Sequence, residues 1–293
     1  MKVLVFGASG MLGNAVMRVL SESADLDVYG SVRSGAAKKY FPEAIAAKLI
    51  TGVDVENHDS LVNVFAEVKP DIIINCVGLI KQLAHANDPL SAIPINSLLP
   101  HRLAKLAKLA GARMIHMSTD CVFTGEKGGY TEDDKSDSTD LYGVSKYLGE
   151  VKYDHSITLR TSIIGHELGG GSNGLVGWFL SQQGSCKGFT RAIFSGLPTV
   201  VLAQVIRDVV IPRPQMSGLY HVAAAPINKH DLITLVAKQY GKTIDIRPDD
   251  KLVIDRSLDA SRFNSETGYT PPAWEELVRV MHTYYMKQES NNV

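Results

Sequence analysis

Lys2-Val3-Leu4-Val5-Phe6-Gly7-Ala8-Ser9-Gly10-Met11-Leu12-Gly13 sets a short apolar run directly before three glycines spaced G-x-x-G-x-x-G. Leu12, Val16, Val19 and Leu20 then share one helical face. A strand, a glycine turn and a helix in immediate succession make a dinucleotide cradle. Glycine permits the tight turn, lets backbone N–H groups approach a pyrophosphate and allows close helix-to-strand packing, while the helix N-terminus adds partial positive charge. Gly171, Gly174 and Gly177 repeat the spacing without a strand immediately before them and read as a flexible loop.

Outward from this turn, Asp27 to Val32, Lys48 to Thr51, Ile72 to Val77, Arg113 to Met117 and Ile157 to Arg160 read as further strands, mostly too continuously apolar to carry a wet face. Between them, Leu61, Val64, Phe65 and Val68, and then Leu103, Leu106, Leu109 and Ala110, recur at helical spacing. Strands alternating with amphipathic helices predict an α/β chain of Rossmann type, a doubly wound parallel sheet built from right-handed crossovers. The pattern loosens after Gly165, so residues 1–165 are expected to form the dinucleotide-binding domain. Residues 166–293 are expected to form a smaller, mixed substrate-binding portion, with segments around 218–240 returning to the sheet.

Composition narrows the function. With 30 Lys+Arg against 31 Asp+Glu among 293 residues, the formal net charge of -1 gives no electrostatic reason to expect nucleic acid or an anionic membrane as partner. Cys76, Cys121 and Cys186 are far apart and lack C-x-x-C spacing, which suits a reducing cytoplasm better than a disulfide scaffold. No stretch of about 18 uncharged apolar residues predicts a membrane span. His58, His85, His101, His116, His155, His221 and His282 show no ligand spacing and read as ordinary structural or surface groups, as does His230 at a helix start. No metal is expected.

The second strand ends Tyr29-Gly30-Ser31-Val32-Arg33, without the carboxylate that usually binds the ribose 2′-hydroxyl of NAD. Ser31 and Arg33 could instead hold a 2′-phosphate, so NADP(H) is expected, with NAD(H) the alternative. Asp54 follows the third strand as a candidate for the adenine. Tyr142 and Lys146 lie four apart on one helical face, and Ser118-Thr119-Asp120 closes the fifth strand, where the carboxyl ends of parallel strands form the ligand crevice. Trp178, Phe179, Lys187, Arg191 and Arg207 are candidates to stack on a nucleobase or pair with a diphosphate.

With these segments the chain resembles the extended short-chain dehydrogenase/reductase superfamily and, within it, the dTDP-4-dehydrorhamnose reductase family. The resemblance is carried by the glycine turn, Asn75-Cys76-Val77-Gly78, Asn96, Met117 to Phe123, Tyr142 to Glu150 and Arg160-Thr161-Ser162. It implies hydride transfer to the C4 carbonyl of a nucleotide-linked 4-keto sugar, a cytoplasmic role and, commonly, a homodimer. Thr119, Tyr142 and Lys146 would be the catalytic set. Tyr142 would protonate the developing alkoxide, Thr119 would donate a hydrogen bond to it, and Lys146 would hold the cofactor ribose and lower the phenol pKa. Gly7, Ser9, Gly10, Met11, Leu12, Gly13, Ser31, Arg33, Asp54, Val55, Cys76, Val77, Gly78, Asn96, Ser118, Tyr142 and Lys146 would line the cofactor.

Asn96 would tie the helix backbone or a relay water to Lys146; a local helix cap is the alternative. Asp120, Cys121, His166, Trp178, Lys187, Arg191 and Arg207 would face the substrate. Cys121 and Ile163 depart from the Tyr and Trp that resembling reductases often carry near the sugar, which leaves a UDP-linked 2-acetamido-6-deoxy sugar beside the dTDP-linked one. Thr119-Asp120-Cys121 is also similar to the Ser-Ser-Cys of GDP-L-fucose synthase, so an epimerase/reductase using Cys121 and His166 is a second expectation. An NADP-binding regulatory subunit without turnover is a third, from a different class.

Overall fold

The computed structural model describes residues 1–80 and 87–290; His85 lies outside them. Seven parallel strands form the central sheet. They are β1 (Lys2–Phe6), β2 (Asp27–Val32), β3 (Leu49–Thr51), β4 (Ile72–Asn75), β5 (Arg113–Thr119), β6 (Ser156–Thr161) and Gly218–His221. In space their order is Gly218–His221, β6, β5, β4, β1, β2, β3. The chain direction of travel therefore reverses between β1 and β4, and a ligand crevice is expected outside the carboxyl ends of those two strands.

Strand alternation explains why both faces are covered. Val3 and Val5 of β1 point to one side and join a core with Val16 and Met17 of the helix α1 (Met11–Leu20), Leu202 and Val205 of the helix Thr199–Val205, and Leu277 and Met281 of the C-terminal helix. Leu4 and Phe6 point to the other side, against Leu61, Val64 and Phe65 of the helix His58–Val68 and Leu99 and Leu103 of the helix Leu99–Ala110. Leu109 and Ala110 depart from their predicted face. Both are exposed, Leu109 at 85%, because Leu99, Leu103, Leu106 and Ala107 already fill the stripe that meets the sheet.

Past β6 the chain builds small sheets. Ile163–Ile164 pairs with Leu197–Pro198, Ala192–Phe194 lies between Ile227–Asn228 and Ile254–Asp255, and Ser185–Phe189 pairs with Asp245–Asp249. A bridge between Tyr130 and Leu258, with Phe123 stacked on Tyr130 at 4.0 Å, brings the stretch around Arg256 to the end of β5. Among the described residues no helix is long and apolar enough to cross a membrane.

Candidate active site

The opening turn is built for close approach. Gly7 has φ 78°, a left-handed conformation that favours glycine, and a Cβ there would crowd Val77 at 3.1 Å. The loops after β1 and β4 therefore touch at the switch point. A Cβ on Gly13 would fall inside van der Waals contact of the Gly7 carbonyl oxygen. Gly10 caps α1 without a side-chain acceptor, and the first turn of α1 carries no acidic residue. Its first N–H groups and positive dipole end suit an anion.

Around the rest of this seat, Ser31 is buried at the end of β2 and Arg33 just beyond it is exposed. Asp54 is exposed, and its carboxylate accepts from the Glu56 N–H in a local turn, at 3.0 Å. Val55 is half-buried against the Leu61 core. After β4, the Asn75 carboxamide accepts from the Val77 N–H at 3.1 Å and faces the His116 ring at 3.1 Å. Asn96 is no local cap. It sits inside a π-helical turn, and its side chain accepts from Leu79 N–H at 2.9 Å, donates to the Leu79 carbonyl at 3.1 Å and lies 3.1 Å from the Ser145 hydroxyl. One side chain thus ties the loop after β4 to the helix Leu141–Leu148.

That helix carries Tyr142 and Lys146 and is capped by Asp140, whose carboxylate accepts from Gly143 N–H at 2.9 Å. Gly143 is there because a Cβ would run into the Cys121 carbonyl and the Ser138 hydroxyl. The close approach sets Tyr142 against the turn after β5, where its phenol shares a hydrogen bond with Thr119. Thr119 in turn accepts from Cys121 N–H at 3.1 Å and donates to Asp120 Oδ1 at 3.1 Å. Lys146 Nζ, one helical turn on, donates to the Met117 carbonyl at 2.7 Å.

The electrostatics differ from expectation at the phenol. Burial, then the nearby Cys121, push its pKa above the ordinary value of 10, with the Thr119 hydrogen bond opposing them, so Tyr142 is held as a neutral proton donor. The Lys146 ammonium donates to the Met117 carbonyl, and its own pKa is lowered to about 8 by burial, opposed by Glu150. Cys76, beside Lys146, is pushed up to about 12 by burial and is a neutral thiol. Asp120 is buried, and its pKa is raised by burial against the pull of Thr119, Arg256 and Lys229.

Arg256 went unnoticed in the sequence. Its Nε donates to the Phe123 carbonyl at 2.7 Å and its Nη1 to the Cys121 sulfur at 3.6 Å. Nothing in the local sequence marks it, since it reaches the crevice only through the bridge at Leu258.

Other expected substrate contacts are placed elsewhere. Arg207 is corrected. It bonds the Val19 carbonyl at the far end of α1, Glu22 at 3.1 Å and Asp208 at 2.7 Å, because an α1 that starts at the carboxyl ends of the strands finishes at their amino ends. Lys187 pairs with Asp249 at 2.9 Å across the small Ser185–Phe189 sheet. His166 is held by Tyr240 at 2.7 Å and stacked on Tyr285 at 3.6 Å, while the Cys121 sulfur meets Arg256, so the expected Cys121–His166 pair has two separate surroundings. Trp178 and Arg191 are partly or fully exposed.

Buried histidines give the fold a pH response. Burial holds His166 and His221 down to about 4, so both are neutral in the native protein, whereas an unfolded histidine takes up its proton near 6.5. The stability they contribute is complete above pH 6.5 and is lost as pH falls from there toward 4, at up to about 1.4 kcal/mol per pH unit for each ring. Urea unfolding is expected to show a clearly lower midpoint at pH 5 than at pH 7. Equal midpoints would contradict the burial of both rings.

A parallel sheet with a glycine cradle at its switch point and a Tyr–Lys pair beside the β5 terminus defines an extended short-chain dehydrogenase/reductase. The chain belongs to the family described as RmlD substrate binding domain, which matches residues 1–285. It is similar to the spore coat polysaccharide biosynthesis protein SpsK of Bacillus subtilis, 26% identical over 95% of each chain. It is also similar to the dTDP-4-dehydrorhamnose reductase of Aggregatibacter actinomycetemcomitans, 23% identical over 97% of this chain and 99% of that one. Among solved structures, that of the Bacillus anthracis dTDP-4-dehydrorhamnose reductase in complex with NADP has the same fold, with a TM-score of 0.77, 21% identity and coverage of 97% of this chain and 99% of that one.

Proposed function

We propose that the protein is an NADPH-dependent reductase of the C4 ketone of a nucleotide-linked 4-keto-6-deoxy-L-hexose, dTDP-4-dehydrorhamnose or a UDP-linked 2-acetamido relative, serving cell-surface polysaccharide precursor synthesis. The observation that carries the reading is the Tyr142–Thr119 hydrogen bond at the carboxyl end of β5, with Lys146 one turn away and the glycine cradle two strands across. The names of the relatives support the substrate class.

The residues present fit the cofactor. The close-approach glycines and the uncapped N-terminus of α1 suit a pyrophosphate, and exposed Arg33, with no carboxylate ending β2, suits a 2′-phosphate. When bound, the dihydronicotinamide supplies hydride. Lys146 would hold the ribose by its ammonium, the Thr119 hydroxyl would turn its one proton from Asp120 to polarise the sugar carbonyl, and the neutral phenol of Tyr142 would deliver the proton to the oxygen as charge builds there. Asp120, Cys121 and Arg256 form the wall against which the sugar lies.

Purified protein with NADPH and freshly generated dTDP-, UDP- and GDP-linked 4-keto-6-deoxy sugars tests the reading by nicotinamide absorbance. Oxidation with one or more of them is expected; none with any would favour a binding subunit. Arg33→Ala is expected to weaken NADPH binding about 10- to 100-fold while leaving NADH binding nearly unchanged, as loss of a charge-assisted bond to phosphate would do. Titration with both cofactors measures this, and equal losses for the two would remove Arg33 from the 2′-phosphate.

A further inference from the structure

Two grips on β5 come from residues close in the chain, one in the last turn of the helix Leu141–Leu148 and one two residues past its end. Lys146 Nζ holds the Met117 carbonyl at 2.7 Å, and the hydroxyl of the next residue, Ser118, donates to Glu150 Oε1 at 2.7 Å. Thr119 follows immediately. Lys146 lies in the last turn of the helix and Glu150 two residues past its end, so together they fix the strand terminus that presents the proton-handling hydroxyl.

Glu150 is itself locked. Arg160 binds it through two bonds, Nε to Oε1 at 2.6 Å and Nη2 to Oε2 at 2.8 Å, with both side chains nearly sealed from water. Arg160 Nη1 meets His221 Nε2 at 3.2 Å, and its guanidinium lies over the Phe123 ring at 5.2 Å. His221 Nδ1 faces the Tyr130 carbonyl at 3.0 Å, so Nδ1 carries the proton and Nε2 accepts from Arg160. The His221 N–H donates to Glu132 at 2.8 Å. A buried ion pair is rarely a net gain in stability, which raises the question of what this one does.

We propose that Glu150, fixed by Arg160, is a positioning residue for the reaction, whose carboxylate is the counter-charge to the Lys146 ammonium and ties the chain just past the helix to the strand end bearing Thr119. The inference deepens the reductase reading and concerns the same site. The titratable groups around Lys146 are the Cys76 thiol just after β4, the His116 ring from β5 and Glu150 two residues past the helix. Burial holds His116 well below the ordinary histidine value and raises Cys76, so both are uncharged near pH 7. Glu150 is then the anion that opposes the burial of Lys146.

The test is the titration of Lys146 in the cofactor-free protein, followed by the 13Cε signal of labelled lysine and assigned by its loss in Lys146→Arg. Glu150→Gln strands the Arg160 charge and is expected to destabilise the fold, so the double variant Glu150→Gln/Arg160→Met, which removes both charges, is measured beside it. In either variant the midpoint is expected to move to lower pH by about one unit or more, the scale of losing a close opposite charge. The alkaline limb of kcat/KM is expected to move the same way. A wild-type midpoint in a folded variant would overturn the proposal and leave Glu150 as a counter-charge for Arg160. Should both variants prove unfolded, Glu150→Asp, which retains the charge for Arg160 but draws it back from Lys146, gives the same reading: an acidward midpoint supports the proposal and an unmoved one overturns it. Because the titration needs no turnover, its outcome stands apart from that of the substrate assay.

Discussion

Tyr142→Phe is expected to lower kcat about 100- to 10,000-fold, the usual worth of a positioned proton donor, with little change in KM or in thermal stability. The phenol is the group that shares a hydrogen bond with Thr119, and burial keeps it protonated over the whole working range. Removing the oxygen leaves the developing alkoxide with the Thr119 donor alone. The ring remains, so the helix Leu141–Leu148 keeps its place against Cys121 and the cofactor seat is undisturbed. Steady-state kinetics with a thermal melt checks all three quantities. A kcat within tenfold of wild type would mean that another group supplies the proton.

Gly13→Ala is the second large effect expected. The added methyl would press on the Gly7 carbonyl oxygen and lie 3.1 Å from the Ala8 Cα, backbone atoms that cannot rotate away. Either α1 lifts off β1 or the turn opens. Overpacking of this kind costs about 1–3 kcal/mol or more, so Tm is expected to fall by about 2–10 °C. Cofactor affinity is expected to fall with it, because the turn that distorts is the one that aims the α1 N–H groups. Differential scanning calorimetry and NADPH titration measure the two. An unchanged Tm with unchanged affinity would contradict the close packing of α1 on the opening turn.

The sheet was legible because each of its buried strands announces itself locally. Ile72 to Asn75 has no wet face, and Lys2 to Phe6 runs straight into its glycine turn. Tyr142 and Lys146 were legible for a similar reason, since helical spacing alone places them on one face. Legibility stopped where a contact depends on tertiary path. Arg207 looked like a free cation for a diphosphate, yet the direction of α1 puts it at the amino ends of the strands, away from the crevice. His166 looked like a partner for Cys121, but the C-terminal helix supplies it with Tyr285.

The phenol pKa illustrates a different limit. Spacing showed that Lys146 lies near Tyr142, but the direction of the shift is set by how dry the site is and by the neighbouring Cys121, which only the fold brings there. Glu150 and Arg160 were visible only as parts of a familiar-looking segment. Their bidentate pairing and its attachment to Ser118 need the fold.

The most direct test of the central claim is the fate of deuterium from NADPH labelled at the nicotinamide C4, after turnover with the accepted nucleotide sugar. Mass spectrometry and NMR of the product are predicted to show one deuterium, bonded to the sugar C4, in wild type, and almost none formed by Tyr142→Phe over the same time. Product labelled at another carbon, or cofactor consumed without deuterium reaching the sugar, would contradict a C4 ketone reduction at this site.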